Sequence, residues 1–307
     1  MDAPYGQRPK LIAIVGPTAS GKTSLAVHLA LQFHGEIVSA DSRQIYRGMD
    51  IGTVKPSIED RRTVPHHLID IRDPDERYTA AEYRDDALAA MHDIEARGRI
   101  PFLTGGTGLY VRAVIGTMDI PPVAPDPSYR KEIEAEIGRD GLAAVFAKLV
   151  ALDPDAVRTV DGRNPRRVVR ALEVIRATGI PFTARRMQPP SRFAVRALYL
   201  DVPSDILKER IRQRTEDMFR GDALLREVQG LVARYGPDAP AFDAIGYREI
   251  IAHLRGEMTL DEAFAAIVQN TIAYAKRQRT WFKKEPGLCR VTDEEDARKH
   301  IAEFLAE

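Results

Sequence analysis

The sequence predicts an α/β protein: a parallel sheet with helices on both faces, plus an all-helical insertion domain. Three observations carry this. Short apolar runs alternate with stretches of helical periodicity through the first third of the chain, the pattern of repeated βα units. A glycine-rich turn joins the first run to the first helix. Strand signals then stop between two proline-rich joints and return at residues 194–200.

The elements follow in order. Residues 11–15 (LIAIV) read as a buried strand and 24–31 as a helix, with a second strand at 36–40 ending on Asp41. Residues 65–71 read as a short third strand or sheet edge. A helix is expected over 78–97, with Thr79 as cap, Glu82 at the reciprocal capping position and Gly98 as stop. Residues 100–104 form a further strand opening into a second glycine-rich turn, Gly105-Gly106-Thr107-Gly108. From 129 to about 178 the reading is helical, with breaks at 138–141 and 153–154. Residues 194–200 rejoin the sheet, and helices run from 204 to the end. The domain division is therefore 1–116 with 194–307 for the core, and 117–193 for the insertion, hinged at 121–127 and 181–190.

Composition excludes several classes. Lys plus Arg and Asp plus Glu number 45 each, so net charge identifies no partner. One cysteine, Cys289, allows neither an internal disulfide nor a cysteine zinc site. No apolar run reaches the ~20 residues of a membrane span, and the first ten residues lack the apolar segment of a secretory signal. A cytoplasmic monomer with no membrane contact is expected.

Gly16-Pro17-Thr18-Ala19-Ser20-Gly21-Lys22-Thr23 has the spacing of a phosphate-binding loop, flanked by strand and helix as such a loop requires. Its glycines let several backbone N–H groups converge on one anion, and the helix start adds its positive dipole end. Lys22 supplies a point charge, and the Thr23 hydroxyl suits a Mg²⁺. A P-loop, nucleotide-kinase-like sheet follows. By itself the loop indicates ATP or GTP and fixes no reaction, so a small-molecule or nucleoside kinase is one reading.

Further motifs accompany the loop: Asp41-Ser42-Arg43-Gln44-Ile45-Tyr46, Gly52-Thr53 with Lys55-Pro56, His66-His67-Leu68-Ile69-Asp70, Gly105 to Tyr110, and Asn164-Pro165-Arg166-Arg167 through Val174. In that order they resemble the tRNA dimethylallyltransferases over about residues 10–285. The resemblance implies transfer of a dimethylallyl group from dimethylallyl diphosphate to the exocyclic amine of the adenosine 3′-adjacent to the anticodon. It also implies that the loop holds a prenyl diphosphate, although its spacing fits either ligand. Arg214 then joins Lys22, the loop N–H groups and Mg²⁺ at Thr23 around the leaving diphosphate.

Asp41, at a strand end beside the loop, is the expected base. With an ordinary pKa of about 3.9 it is too weak to deprotonate the free amine, so proton transfer accompanies C–N bond formation. Ser42, Arg43 and Gln44 are expected to grip the target nucleotide, Gln44 at an adenine edge. Thr107 is expected to contact the RNA. Gly246-Tyr247-Arg248 matches a stretch that touches tRNA in the family, and Arg130 is a further candidate. The adjacent His66 and His67 point to opposite faces of a strand and suggest structural or channel roles, not a metal.

Nine arginines lie between 158 and 192 against only Asp161 and Glu173, a phosphate-contact surface for an anticodon stem-loop. Arg163, Arg166, Arg167 and Arg170 share one side of a helix. Trp281 and Phe282, in a second basic stretch, read as core anchors. Two departures from the family stand out: residues 218–225 are one residue longer than its usual turn, and no zinc-finger extension follows, which implies the bacterial type.

Overall fold

β1 (Lys10–Val15) is apolar after Lys10 because it lies inside a sheet covered on both faces. Leu11, Ala13 and Val15 enter one core, Ile12 and Ile14 the other, and all five are fully buried. The computed structural model describes residues 8–116, 123, 126–185 and 191–307. Around β1 stand β2 (Gly35–Ser39), β3 (His66–His67), β4 (Ile100–Gly105), β5 (Ala194–Leu200) and β6 (Leu288–Val291). The strand order is β3-β2-β4-β1-β5-β6, and every pairing is parallel.

Contacts divide the chain into two units, Met1–Ile115 with Ser191–Glu307, and Gly116–Pro190. In the first, α1 (Lys22–Gln32) and α13 (Glu294–Ala306) cover one sheet face through Leu25, Leu29, Ile301 and Phe304. The other face packs on α3 (Ala80–Ala96), α4 (Gly108–Ile115) and the end of α12 (Leu260–Phe282). The capping box expected at Thr79 and Glu82 is present, and α2 (Ile58–Thr63) has another at Ser57 and Asp60. Each such cap contributes about 1 kcal/mol. A third core joins α12 to α9 (Ser204–Phe219), α10 (Ala223–Tyr235) and α11 (Tyr247–Leu254).

The second unit holds α5 (Pro127–Asp140), α6 (Leu142–Leu152), α7 (Ala156–Thr159) and α8 (Pro165–Thr178), packed on Ile133, Val145, Leu149, Val168 and Leu172. Among its described residues there is no strand. Residues 121–122 and 124–125 of the first proline-rich joint and 186–190 of the second, Arg186 among them, lie outside the described residues.

Three differences from the sequence reading stand out. The helical run expected from 204 onward is interrupted by β6, which pairs with β5 at the sheet edge. β3 is two residues long because Leu68 and Asp70 take positive φ (62° and 58°), leaving the extended region. The lengthened turn near 218–225 forms a kink with Gly221 and Asp222 both left-handed (57° and 56°); Arg214 lies ahead of it inside α9. Among the described residues no helix is long and apolar enough to cross a membrane.

Candidate active site

The site forms where three strand ends meet. Val15 of β1 is in register with Gly105 of β4, and Thr104 of β4 with Ser39 of β2. A Cβ on Gly105 would lie 2.1 Å from the Ala40 carbonyl oxygen, and one on Gly106 3.3 Å from that of Gly16. Only glycine permits the first approach, and the second leaves a Cβ tightly packed. They bring the loop after β1, the second glycine turn and Asp41 into one crevice at the carboxyl ends of the strands, where open parallel sheets bind ligands.

The loop is built to receive an anion. Ala19 (φ 63°) and Gly21 (φ 91°) are left-handed, and the Ser20 N–H donates to the Pro17 carbonyl at 3.3 Å. The N–H groups of Gly21, Lys22 and Thr23 have no protein acceptor among the described residues, as at any helix start. Lys22 Nζ donates to the Pro17 carbonyl at 3.2 Å. Arg214 Nη2 donates to Thr18 Oγ1 at 2.8 Å, and Arg210 Nη1 to the Ser20 carbonyl at 3.2 Å. Burial pushes Lys22 down from 10.5 to about 8; the Asp41 carboxylate opposes that shift and Arg214 adds to it. Burial also lowers Arg214, against the pull of Asp41. Arg214 Nε and Ser20 Oγ are buried without a partner among the described residues. Desolvated cations and orphan N–H groups facing one space leave a positive field that an anion relieves.

The other wall of the crevice holds the carboxylate. Asp41 Oδ1 accepts from the Arg43 N–H at 2.9 Å, an Asx turn, while Oδ2 has no partner among the described residues. Thr107 ties the two halves together: its N–H donates to the Ala40 carbonyl (3.1 Å), and its Oγ1 accepts from the Ser42 N–H (3.0 Å). Tyr83 and Tyr110 stack beneath at 3.8 Å and 11° between planes, with the Tyr83 hydroxyl on the Ser39 carbonyl. Burial, reinforced by the charge of Asp41, pushes the Tyr274 hydroxyl up to about 12.

The sequence of residues 44–285 matches a family model described as IPP transferase. The chain belongs to the IPP transferase family. A "tRNA dimethylallyltransferase" of Roseiflexus sp. is 47% identical over 96% of this chain and 97% of its own length. One from Halalkalibacterium halodurans is 43% identical over 92% and 90%. The crystal structure of a tRNA isopentenylpyrophosphate transferase from Bacillus halodurans superposes with a TM-score of 0.72, at 40% identity, covering 97% of this chain and 96% of that one. A eukaryotic dimethylallyltransferase solved acting on tRNA gives 0.80 at 27% identity, over 97% and 77%.

Within this IPP transferase the crevice brings together Gly16 to Thr23, Asp41, Ser42, Thr107 and Arg214. Five expected contact residues, Gln44, Tyr247, Arg130, Arg170 and Gly246, are instead committed to the fold. Gln44 is buried, its Nε2 on the Thr53 and Val54 carbonyls and its Oε1 accepting from Ser39 Oγ, so its amide presents no free edge to adenine. Tyr247 is fully buried, its hydroxyl on Glu227 at 2.6 Å. Arg130 makes a bidentate pair with buried Glu173 (2.6 and 2.8 Å), and Arg170 bonds Glu173 and the Val123 carbonyl. Gly246 is buried, donating to Glu249, which also takes exposed Arg248. Arg43 is half-exposed and held by Asp243 at 2.5 Å.

Arg166 and Arg167 are exposed in the first turn of α8, where Asn164 caps and Pro165 begins the helix; Arg163, expected on the same helix side, is exposed in the turn before the cap and so lies outside the helix. His67 and His66 are structural, bonded to Glu36 and to the Val64 carbonyl. Phe282 is a buried anchor, and Trp281 packs under Arg112. The sequence reading missed Arg210 and Gln278. Gln278 sits one turn before Trp281 and Phe282 on a helix face that meets the sheet, which is the signal that could have found it.

The depressed Lys22 titration gives a stability test. In the folded state its charge is disfavoured below about pH 8, while the unfolded lysine stays charged to 10.5, so stability rises as pH climbs between the two. Lys22→Met is expected to melt higher than the parent protein at pH 7 without ligand, with the gain fading as pH passes 8 toward 10.5. Equal or lower melting at pH 7 would show that Lys22 carries no desolvation cost.

Proposed function

We propose that the chain transfers a dimethylallyl group from dimethylallyl diphosphate to the exocyclic amine of the adenosine 3′-adjacent to the anticodon of tRNA, releasing diphosphate. The observation that carries this reading is the placement of one anion cradle and one open carboxylate oxygen in a single crevice. Lys22, Arg214 and the N–H groups of Gly21, Lys22 and Thr23 would receive the negative charge that grows as the allylic C–O bond breaks and its electron pair leaves with the diphosphate. The amine lone pair forms the C–N bond, and its proton passes to Asp41 Oδ2. The Arg43 N–H, bonded to Oδ1, holds the carboxylate in orientation.

The Thr23 hydroxyl has no partner among the described residues, and no group of three His, Cys, Asp or Glu side chains gathers there. That donor set fits a hard cation completed by diphosphate and water, so Mg²⁺ at Thr23 would neutralise charge on the leaving group. A base stacked in an anticodon loop must be turned out to reach Asp41, at a cost of a few kcal/mol. Arg163, Arg166 and Arg167, exposed beside the positive end of α8, would bind RNA phosphates. A kinase shares the loop, but relatives bearing the transferase name match more than nine-tenths of the chain and do not favour it.

Asp41→Asn keeps the Asx turn and removes the proton acceptor. With labelled dimethylallyl diphosphate and tRNA, turnover should fall about 10²–10⁴-fold, while tRNA affinity stays within a few-fold. Unchanged turnover would remove Asp41 from the base role. Arg166→Ala combined with Arg167→Ala should weaken tRNA binding and lower the slope of log affinity against log salt by about 2. An unaltered slope would make this face solvated surface.

A further inference from the structure

Arg214 is not the only side chain that grips Thr18. The Thr18 N–H donates to Gln278 Oε1 at 2.8 Å, and Gln278 Nε2 donates to the Gly106 carbonyl at 2.8 Å. Gln278 is 6% exposed, so both bonds are shielded from water. The fit is tight: a Cβ on Gly106 would lie 2.2 Å from Gln278 Nε2. One amide of α12 thus joins the phosphate loop to the second glycine turn. The next residue of that turn, Thr107, bonds Ser42 and the Ala40 carbonyl, on either side of Asp41. The path from cradle to base runs Thr18, Gln278, Gly106, Thr107, then Ala40 or Ser42, then Asp41, with each step a hydrogen bond or a peptide link.

The same helix supports the turn at two further points. A Cβ on Gly108 would lie 2.2 Å from Trp281 Nε1, and Tyr274 reaches Thr107. Tyr274, Gln278 and Trp281 are spaced four and three apart, so one face of α12 backs the whole turn. Gln278 is the only one of the three that also holds the phosphate loop.

We propose that Gln278 is a positioning residue that fixes the diphosphate cradle in register with Asp41. The proposal rests on the reading of the crevice as a prenyl transfer site. In-line attack needs the reacting atoms held within about 0.5 Å of their productive geometry, so a displaced cradle costs rate and loosens its hold on pyrophosphate while leaving tRNA binding in place. A glutamine is suited to the task because it accepts from one loop and donates to the other. A carboxylate can only accept, whereas a protonated carboxyl again does both.

The test compares Gln278→Met and Gln278→Glu with the parent enzyme, using dimethylallyl diphosphate and tRNA. Gln278→Met keeps the shape and loses both bonds. It should lower kcat 10- to 100-fold while leaving tRNA KM within twofold. Gln278→Glu should be at least as impaired at pH 8, and should recover toward the parent as pH falls through 6, because the protonated side chain restores the donor. Inorganic pyrophosphate affinity, measured by calorimetry, should rise in parallel over the same pH range.

A purely structural glutamine would lower the melting temperature without that recovery. The proposal is overturned if Gln278→Met keeps kcat within twofold. It is equally overturned if Gln278→Glu follows the parent pH profile, a comparison that stands even where the methionine variant does not fold. Failure of the parent enzyme to prenylate tRNA would count against the transfer reading itself, and the pyrophosphate titration would then decide the Gln278 proposal alone.

Discussion

The N–H groups at the start of α1 have no protein acceptor among the described residues, and the cations around them are partly stripped of water. The core is organised around this unbalanced positive charge. A helix terminus of this kind costs little when it faces solvent. Here it is enclosed by Arg210 and Arg214 from α9 and by Gln278 from α12. The enclosure raises the desolvation cost of Lys22 and strengthens any interaction with a bound diphosphate by the same low-dielectric effect. A loop optimised for stability would place an aliphatic side chain at Lys22. The depressed lysine is a position where burial costs folding stability, as expected of a residue held for a ligand in the proposed reaction.

Close backbone approach makes the second half of the site. Gly105 and Gly106 have no room for a Cβ, so the Ala40 carbonyl and the loop after β1 come against the same turn. The carboxylate and the cradle are therefore brought together by sheet register and close backbone packing, with the Gln278 amide as the side-chain tie between the two turns. Rigid elements position reacting groups better than loops do. The polar tie at Thr107 and the aromatic floor of Tyr83 and Tyr110 keep the Asp41 backbone from relaxing away.

Much of this was legible in the sequence, for local reasons. The glycine loop, the strand before it and the helix after it are fixed by neighbours in the chain, as is the Thr79–Glu82 capping box. The helical insertion showed itself by helical spacing without strand signals. β6 did not: four residues at a sheet edge, only Val291 fully buried, give no alternation to detect. Side-chain roles failed where a distant partner decides them. Gln44 looks like a nucleotide reader until its amide is seen to hold the Thr53–Val54 backbone. Arg170 belongs to an arginine-rich stretch and Arg130 lies ahead of it in α5, yet buried Glu173 takes both, while Arg166 and Arg167, in the same helix as Arg170, stay exposed. Gln278 went unnoticed for the same reason: its partners lie 260 and 172 residues away.

The account stands or falls on what lies between the cradle and the carboxylate. A crystal structure of the enzyme with pyrophosphate and an anticodon stem-loop addresses that directly. It should show pyrophosphate on Lys22, Arg214 and the N–H groups of residues 21–23, and the extruded adenine's amine within hydrogen-bond distance of Asp41 Oδ2. Pyrophosphate bound there with the adenine amine far from Asp41, or facing another proton acceptor, would contradict it.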